Sequence, residues 1–156
     1  MDFEGIYEKY GNMLYKVAFV YLGNTDNAED VLQDVFIAYL NSNKQFKNEE
    51  HRKAWLIRVT HNKCINLLKS PSRKSTDIDE IQLSCEEEDR DAKLDVIKQI
   101  NLLPTKYKSV IILHYYNDLS VDEIAKILKI SKSAVKMRLK RAREALKIQL
   151  EDTTYE

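Results

Sequence analysis

The sequence predicts an all-α protein of two small helical domains joined by a flexible acidic linker, and three observations carry that prediction. Gly numbers 3 and Pro 2 among 156 residues, where average usage supplies roughly 12% of the two together. Apolar residues recur at three- and four-residue steps, the helical period, on both sides of one interruption. That interruption, 71–91, contains Pro71, the block Glu86-Glu87-Glu88-Asp89, three basic and eight acidic residues. A structureless stretch of about 20 residues fits a linker better than the interior of a compact domain. The predicted organisation is therefore residues 1–70, a linker at 71–91, and residues 92–156.

The elements follow in order. Phe3, Ile6, Tyr7, Tyr10, Leu14, Val17, Ala18 and Tyr21 mark a first helix, with Gly23 as its stop. Asp26, with Glu29 three residues on, is the expected cap of a second helix. Its apolar face is Ala28, Val31, Leu32, Val35, Phe36 and Tyr39, and Asn41-Ser42-Asn43 closes it. A polar loop over Lys44–Lys53 leads into a third helix of about Arg52–Lys69. Leu56, Thr60, Cys64 and Leu67 form its buried stripe, opposite a polar stripe of Arg58, Asn62, Asn66 and Lys69 with His61 beside it. Beyond the linker, Leu94, Ile97 and Ile100 mark a helix stopped near Pro104, and Tyr107, Val110, Ile111 and His114 mark another. Ser120-Val121-Asp122-Glu123 is a capping box opening a short helix, Val121–Leu128, and Ser131 caps a longer one running to about Leu150.

Composition excludes several classes of function. The longest apolar run, Val17–Leu22, is far short of the ~20 residues that span a bilayer. Met1-Asp2-Phe3-Glu4 is acidic where a secretory signal is basic, so a cytoplasmic protein without membrane insertion is expected. Cys64 and Cys85 cannot make a disulfide framework, and His51, His61 and His114 lie in no ligand-spaced cluster with them. No Gly-rich phosphate loop or nucleophile elbow occurs, so neither cofactor, metal nor enzymatic activity is expected. The formal net charge of zero hides a gradient: nine basic and nine acidic residues in 1–70, then thirteen basic and eight acidic in 92–156. An anionic partner is expected for the basic part.

The helices at Val121–Leu128 and Ser131 onward form a helix-turn-helix. Val135, Leu139, Ala142 and Leu146 fall in a narrow arc facing inward, and Lys132 to Lys147 carries seven basic residues against Glu144. Long cationic side chains on a rigid rod suit the DNA major groove. The candidate duplex-binding residues are Lys132, Ser133, Lys136, Met137, Arg138, Lys140, Arg141 and Arg143. In the first domain, Trp55, Phe46 and Tyr39 lie near Arg52, Arg58, His61 and Lys63. Aromatics among cations hold unstacked bases, and the same aromatics equally suit a small core. Asp30, Gln33, Asp34 and Ile37 suit a protein interface or a solvated helix face.

These segments resemble a known family. Leu103–Val110, Leu119–Ala125 and Val135–Arg143 look like region 4 of bacterial RNA polymerase sigma factors. Asn27–Phe36 and Ala54–Val59 look like region 2. Two regions, one short linker and no room for more domains resemble the extracytoplasmic-function group of the sigma-70 family. The resemblance implies core RNA polymerase (β′ clamp helices and β flap), promoter DNA and an anti-sigma factor as partners. It implies that Asp30, Gln33, Asp34 and Phe36, with Ile37 beside them, meet the clamp helices. Phe46–Lys53 and Trp55–Lys69, including Arg52, Trp55, Arg58, His61, Asn62 and Lys63, would melt and read the −10 element as single strand. Lys136, Met137, Lys140 and Arg141 would read the −35 element as duplex, and the linker would thread toward the active-site cleft.

The chain departs from the family pattern at His61, Asn66 and Lys129, where members often have Arg, Asp and Gly. A left-handed backbone at Lys129 would cost about 1–2 kcal/mol, so a differently shaped turn is expected there. A linker of this length has a coil span of about 25 Å and stretches to ~70 Å, enough to join two promoter elements nearly two duplex turns apart. The expected function is a sigma factor; the alternative is a dimeric operator-binding regulator with an N-terminal sensing domain.

Overall fold

In a computed structural model of the chain, residues 3–69 and 96–146 are described. The linker expected at 71–91, Leu94, Cys85 and the last helix beyond Leu146 lie outside the described residues. The chain divides into two units, Met1–Ile97 and Lys98–Glu156. Every regular element among the described residues is helical.

In the first unit, α1 (Phe3–Leu22), α2 (Thr25–Asn41) and α3 (Glu49–Lys69) each pack on the other two. The run Val17–Leu22 is buried on every side, because the C-terminal half of α1 lies against both neighbours. At the other end of the helix Phe3 and Tyr7, expected in the stripe, stay exposed. Gly23 closes α1 at φ 70°, its N–H donating to the Phe19 carbonyl at 2.7 Å. The cap of α2 is Asn24, two residues before the expected Asp26: its Oδ1 accepts from the Asn27 N–H at 2.9 Å. Asp26 instead occupies the first turn, where its charge favours the helix dipole. Likewise α3 starts at Glu49 rather than near Arg52, with Asn48 Oδ1 accepting from the His51 N–H at 2.8 Å. Its buried residues are Leu56, Ile57, Thr60, His61 and Cys64, while Leu67 is half-buried.

Helical residues 96–101 (α4) begin just before the division after Ile97 and lead, in the second unit, through Leu102 and Pro104 to α5 (Thr105–Ile111). The last turn of α5 widens into a π-turn, Ile112–Tyr116, in which the Asn117 N–H reaches the Ile112 carbonyl at 3.2 Å. The capping box on α6 (Val121–Leu128) is complete: Ser120 Oγ accepts from the Glu123 N–H at 3.1 Å, and Glu123 Oε1 from the Ser120 N–H at 2.8 Å. Ser131 Oγ caps α7 (Lys132–Leu146) by accepting from the Ala134 N–H at 3.0 Å. Both caps match the sequence-based expectation. The core here is Val110–Leu113, Leu119, Ile124, Val135, Leu139, Ala142 and Leu146.

The turn between α6 and α7 corrects one expectation. Lys129 does adopt the left-handed conformation, at φ 59° and ψ 46°, so the turn keeps the shape a glycine would give it. The Ile130 N–H donates back to the Ala125 carbonyl at 3.1 Å, closing the helix as in a Schellman motif. That closure, and the ammonium at a helix C-terminus, offset the strain at a side chain that is itself exposed. Lys129→Gly should therefore raise stability by roughly 1 kcal/mol through relief of left-handed strain, less the glycine's extra unfolded-state entropy. Chemical denaturation of the two proteins measures this directly, and a midpoint that falls counts against strain at Lys129.

Candidate nucleic-acid interface

A helix that buries Val135, Leu139, Ala142 and Leu146 must turn its opposite face to solvent. On α7 that face carries Lys132, Ser133, Lys136, Met137, Lys140 and Arg141, all exposed, with Met137 at 46%. Arg138 and Arg143 are half-buried on the flanks. The Arg143 Nη1 donates to the Tyr115 hydroxyl at 3.3 Å, fastening α7 to the π-turn. Lys132 Nζ meets Asp122 Oδ1 of α6 at 2.9 Å. Lys132 and Arg143 are thus engaged within the protein, while Lys136, Lys140 and Arg141 point outward and enter no ion pair among the described residues.

The first unit presents a second surface. Tyr39 and Phe46 stack with rings parallel to 6° and centroids 6.0 Å apart, and Trp55 meets each edge-on, at 6.1 and 5.8 Å. The Arg52 guanidinium lies 5.3 Å from the centre of the Phe46 ring, and its Nε donates to the Tyr39 hydroxyl at 3.2 Å. Glu49 anchors this guanidinium through Nη1 and reaches α1 as well, accepting from Lys9 Nζ at 3.2 Å and the Tyr10 hydroxyl at 2.5 Å. Burial first, and then the Glu49 carboxylate, push the Tyr10 hydroxyl up to about 12, while the bond from Tyr10 holds Glu49 below its ordinary value. Trp55, Phe46 and Tyr39 are all half-buried, so they serve both as packing and as surface. Arg58 and Asn62 stand exposed on the same side of α3 as Trp55, with Lys63 half-buried on its flank.

His61 is not on that face. It is only 6% exposed, and its Nδ1 pairs with the Tyr21 hydroxyl at 2.5 Å, with the two rings edge to face. One helical turn after the buried Ile57, this position faces α1, and burial pushes the imidazole down to about 4.

The third expected surface lies on α2. Asp30, Gln33 and Asp34 are exposed, and Ile37 is 55% exposed beside them. Phe36 is the exception: it is 3% exposed, inserted edge-on against Phe3 at 5.8 Å and tilted on Tyr7 at 5.0 Å. It supports the exposed face from beneath and cannot itself be an open contact. Glu49, Tyr10 and Lys9 were missed as members of the aromatic site. The three-residue spacing of Glu49 and Arg52 signals their pairing, whereas Lys9 and Tyr10 arrive from another helix and leave no local signal. Among the described residues no cluster of metal-ligating side chains occurs, and no helix is long and apolar enough to cross a membrane.

Comparison with known proteins finds one family along most of the chain. Residues 6–74 match the family described as Sigma-70 region 2, and residues 93–146 match Sigma-70, region 4. The RNA polymerase sigma factor SigV of Bacillus subtilis (strain 168) is 33% identical over 138 residues, covering 87% of this chain and 83% of that one. The ECF RNA polymerase sigma factor SigW of the same organism is 32% identical over 170 residues, covering 96% and 89%. Among solved structures, CnrH in complex with the cytosolic domain of CnrY has a TM-score of 0.71 at 25% identity, over 93% of this chain and 84% of that one. The sigma factor RpoE of Bartonella quintana, solved with the anti-sigma factor NepR, has a TM-score of 0.70 at 24% identity, over 94% of each.

The buried imidazole generates a test. His61 is held neutral at about 4 in the folded chain and returns to about 6.5 when unfolded. The unfolded state then binds a proton that the folded state refuses, so stability is intact above about pH 6.5 and falls as the pH drops toward about 4. The loss reaches roughly 3 kcal/mol at the lower end. Denaturation midpoints of wild type and His61→Gln across that window should diverge by this amount; parallel curves would show that the imidazole is not held neutral.

Proposed function

Because the chain belongs to the sigma-70 family of RNA polymerase sigma factors, in its extracytoplasmic-function group, we propose that its two units divide promoter recognition between duplex and strand. The protein is a sigma factor: it binds core RNA polymerase and directs promoter recognition and the initiation of transcription. In this reading residues 1–70 act as region 2, residues 71–91 as the linker and residues 92–156 as region 4. The observation that carries the division is α7, whose outward Lys136, Met137, Lys140 and Arg141 stand on a helix capped by Ser131 and entered through the closed turn that follows α6. Such a face presents cations to phosphates and donors to base edges of the −35 element at once.

The second half of the task falls to the aromatic surface. Trp55, Phe46 and Tyr39 offer π-faces to unstacked bases of the −10 element, and Arg52, Arg58, Asn62 and Lys63 offer donors to its backbone. His61 serves this site from beneath, by fixing α3 against α1. No covalent chemistry is needed: strand separation is favoured because the captured single strand binds better than the duplex. Asp30, Gln33, Asp34 and Ile37 supply the docking face for the β′ clamp helices, and the second unit supplies that for the β flap. Family membership supports an anti-sigma factor as a further partner, and the work is done in the cytoplasm, where the polymerase is. A match to both sigma regions in one chain favours this reading over an operator-binding dimer. Capture of β and β′ subunits from bacterial lysate by the tagged protein, followed by reconstituted transcription, tests it.

Two substitutions probe the assigned surfaces. Asp34→Lys should leave helicity and melting unchanged, since the side chain is exposed, yet weaken core polymerase binding by charge reversal at a docked face. Normal core affinity would show that the interface lies elsewhere. On α7, Arg141→Ala should relax selectivity at one or two −35 positions, a loss of about 1–3 kcal/mol of discrimination. Arg143→Ala should weaken all promoters alike by loosening α7 on the second unit, because the bond to Tyr115 is lost. Transcription from a library of single-base −35 variants separates the two, and identical profiles for wild type and Arg141→Ala would remove Arg141 from base reading.

A further inference from the structure

We propose that Asp122 restrains Lys132, withholding the first cation of α7 from the DNA backbone and leaving duplex affinity to Lys136, Lys140 and Arg141. The inference rests on the duplex-reading role of α7 and adds to it a residue that tunes binding without reading a base.

The geometry places one carboxylate where several positive groups converge. Asp122 sits in the first turn of α6 and Lys132 is the first residue of α7, with Nζ and Oδ1 2.9 Å apart. The first turn of α7 holds no acidic residue, so an ammonium lies at the positive end of its helix dipole without local compensation. Asp122 supplies that compensation from across the turn. Lys126, one turn further along α6, and Lys136, one turn further along α7, act on the same carboxylate. With Lys132 first, these lysines hold Asp122 below its ordinary value, so it is ionised at neutral pH.

Both partners are more than half exposed, at 65% and 58%, so the pair is a weak restraint rather than a lock. Weakness is what a tuning device requires. A lysine at this position would contact phosphate, and phosphate contacts raise affinity for every sequence alike. Occupying Lys132 therefore lowers general DNA affinity while leaving base discrimination to the residues further along the helix. Each cation removed from the phosphate contact also reduces the salt dependence by about 0.9 in log–log slope.

The test is binding of reconstituted holoenzyme to a promoter duplex that the wild-type holoenzyme selects from a randomised pool, measured across salt concentrations. Five proteins are compared: wild type, Asp122→Asn, Asp122→Ser as a second neutral replacement, Lys132→Ala and the Asp122→Asn, Lys132→Ala double variant. Asp122→Asn and Asp122→Ser should bind up to about fivefold tighter at low salt, with a slope steeper by about 0.9. The same gain should appear on a duplex with a scrambled −35 element, and it should vanish in the double variant. A gain of this kind cannot come from misfolding. Unchanged or weaker binding by both neutral variants overturns the restraint, provided wild type discriminates the −35 element. A gain that persists without Lys132 also overturns it, because the carboxylate would then act by repelling DNA directly. Loss of −35 discrimination in wild type would instead overturn the duplex-reading role of α7 itself.

Discussion

The outward chemistry of this protein depends on one constraint: a short amphipathic helix that buries one stripe must expose the opposite one. In the first unit α1 takes the centre, burying Val17–Leu22 on all sides, so α2 and α3 are left half-covered. What α2 exposes is acidic, with Asp30 and Asp34, and what α3 exposes is Trp55, Arg58 and Asn62. In the second unit the inward arc of α7 fixes its basic face in the same way. Three surfaces of different chemistry thus follow from three core stripes. Changes in the core would rotate those surfaces before they altered their composition.

The aromatic surface needs more than a stripe to hold its shape. Three half-buried rings at the edge of a small domain would be free to change rotamer unless tied. Arg52 ties them from two directions, its Nε on the Tyr39 hydroxyl and its guanidinium over Phe46. Glu49 in turn ties Arg52 to Lys9 and Tyr10 of α1. A single such exposed ion pair contributes little on its own. A network in which one carboxylate serves three donors loses side-chain freedom only once. The surface proposed for single-stranded DNA is therefore ordered by the same contacts that dock α3 on α1.

Local rules carried most of the fold in advance, and their failures have identifiable causes. Helical periodicity placed most of the described α-helices but not the π-turn at Ile112–Tyr116, and the capping box at Ser120 and Glu123 and the cap at Ser131 were legible because their partners lie three residues away. Asn24 displaced Asp26 as a cap because both residue types cap equally well, so composition alone does not say which of the two begins the helix. His61 sat at the edge of the polar stripe in sequence; Tyr21, forty positions earlier, makes a buried imidazole acceptable there. Phe36 was assigned two roles by its position, in the apolar face and in the partner contact, and Phe3 and Tyr7 settle it for the first. At Lys129 propensity argued against a left-handed turn, and the closure between Ile130 and Ala125 overrode it.

Charge behaves by the same logic of position over composition. The chain is formally neutral, with 25 basic and 25 acidic residues, and α7 is its most basic described helix. Yet Arg143 is turned back onto Tyr115 and Lys132 onto Asp122. The cations left to face DNA are fewer than the sequence of the helix suggests. Since non-specific affinity scales with the number of phosphates neutralised, this helix on its own is expected to be a weak DNA ligand. A weak ligand is the appropriate one for a subunit that also docks on polymerase. In the proposed reading, α7 once tethered there would meet promoter DNA at high effective concentration, and a small number of outward groups would be enough to rank one −35 sequence above another. Strong backbone binding would work against that ranking, because it would hold the holoenzyme on every sequence alike.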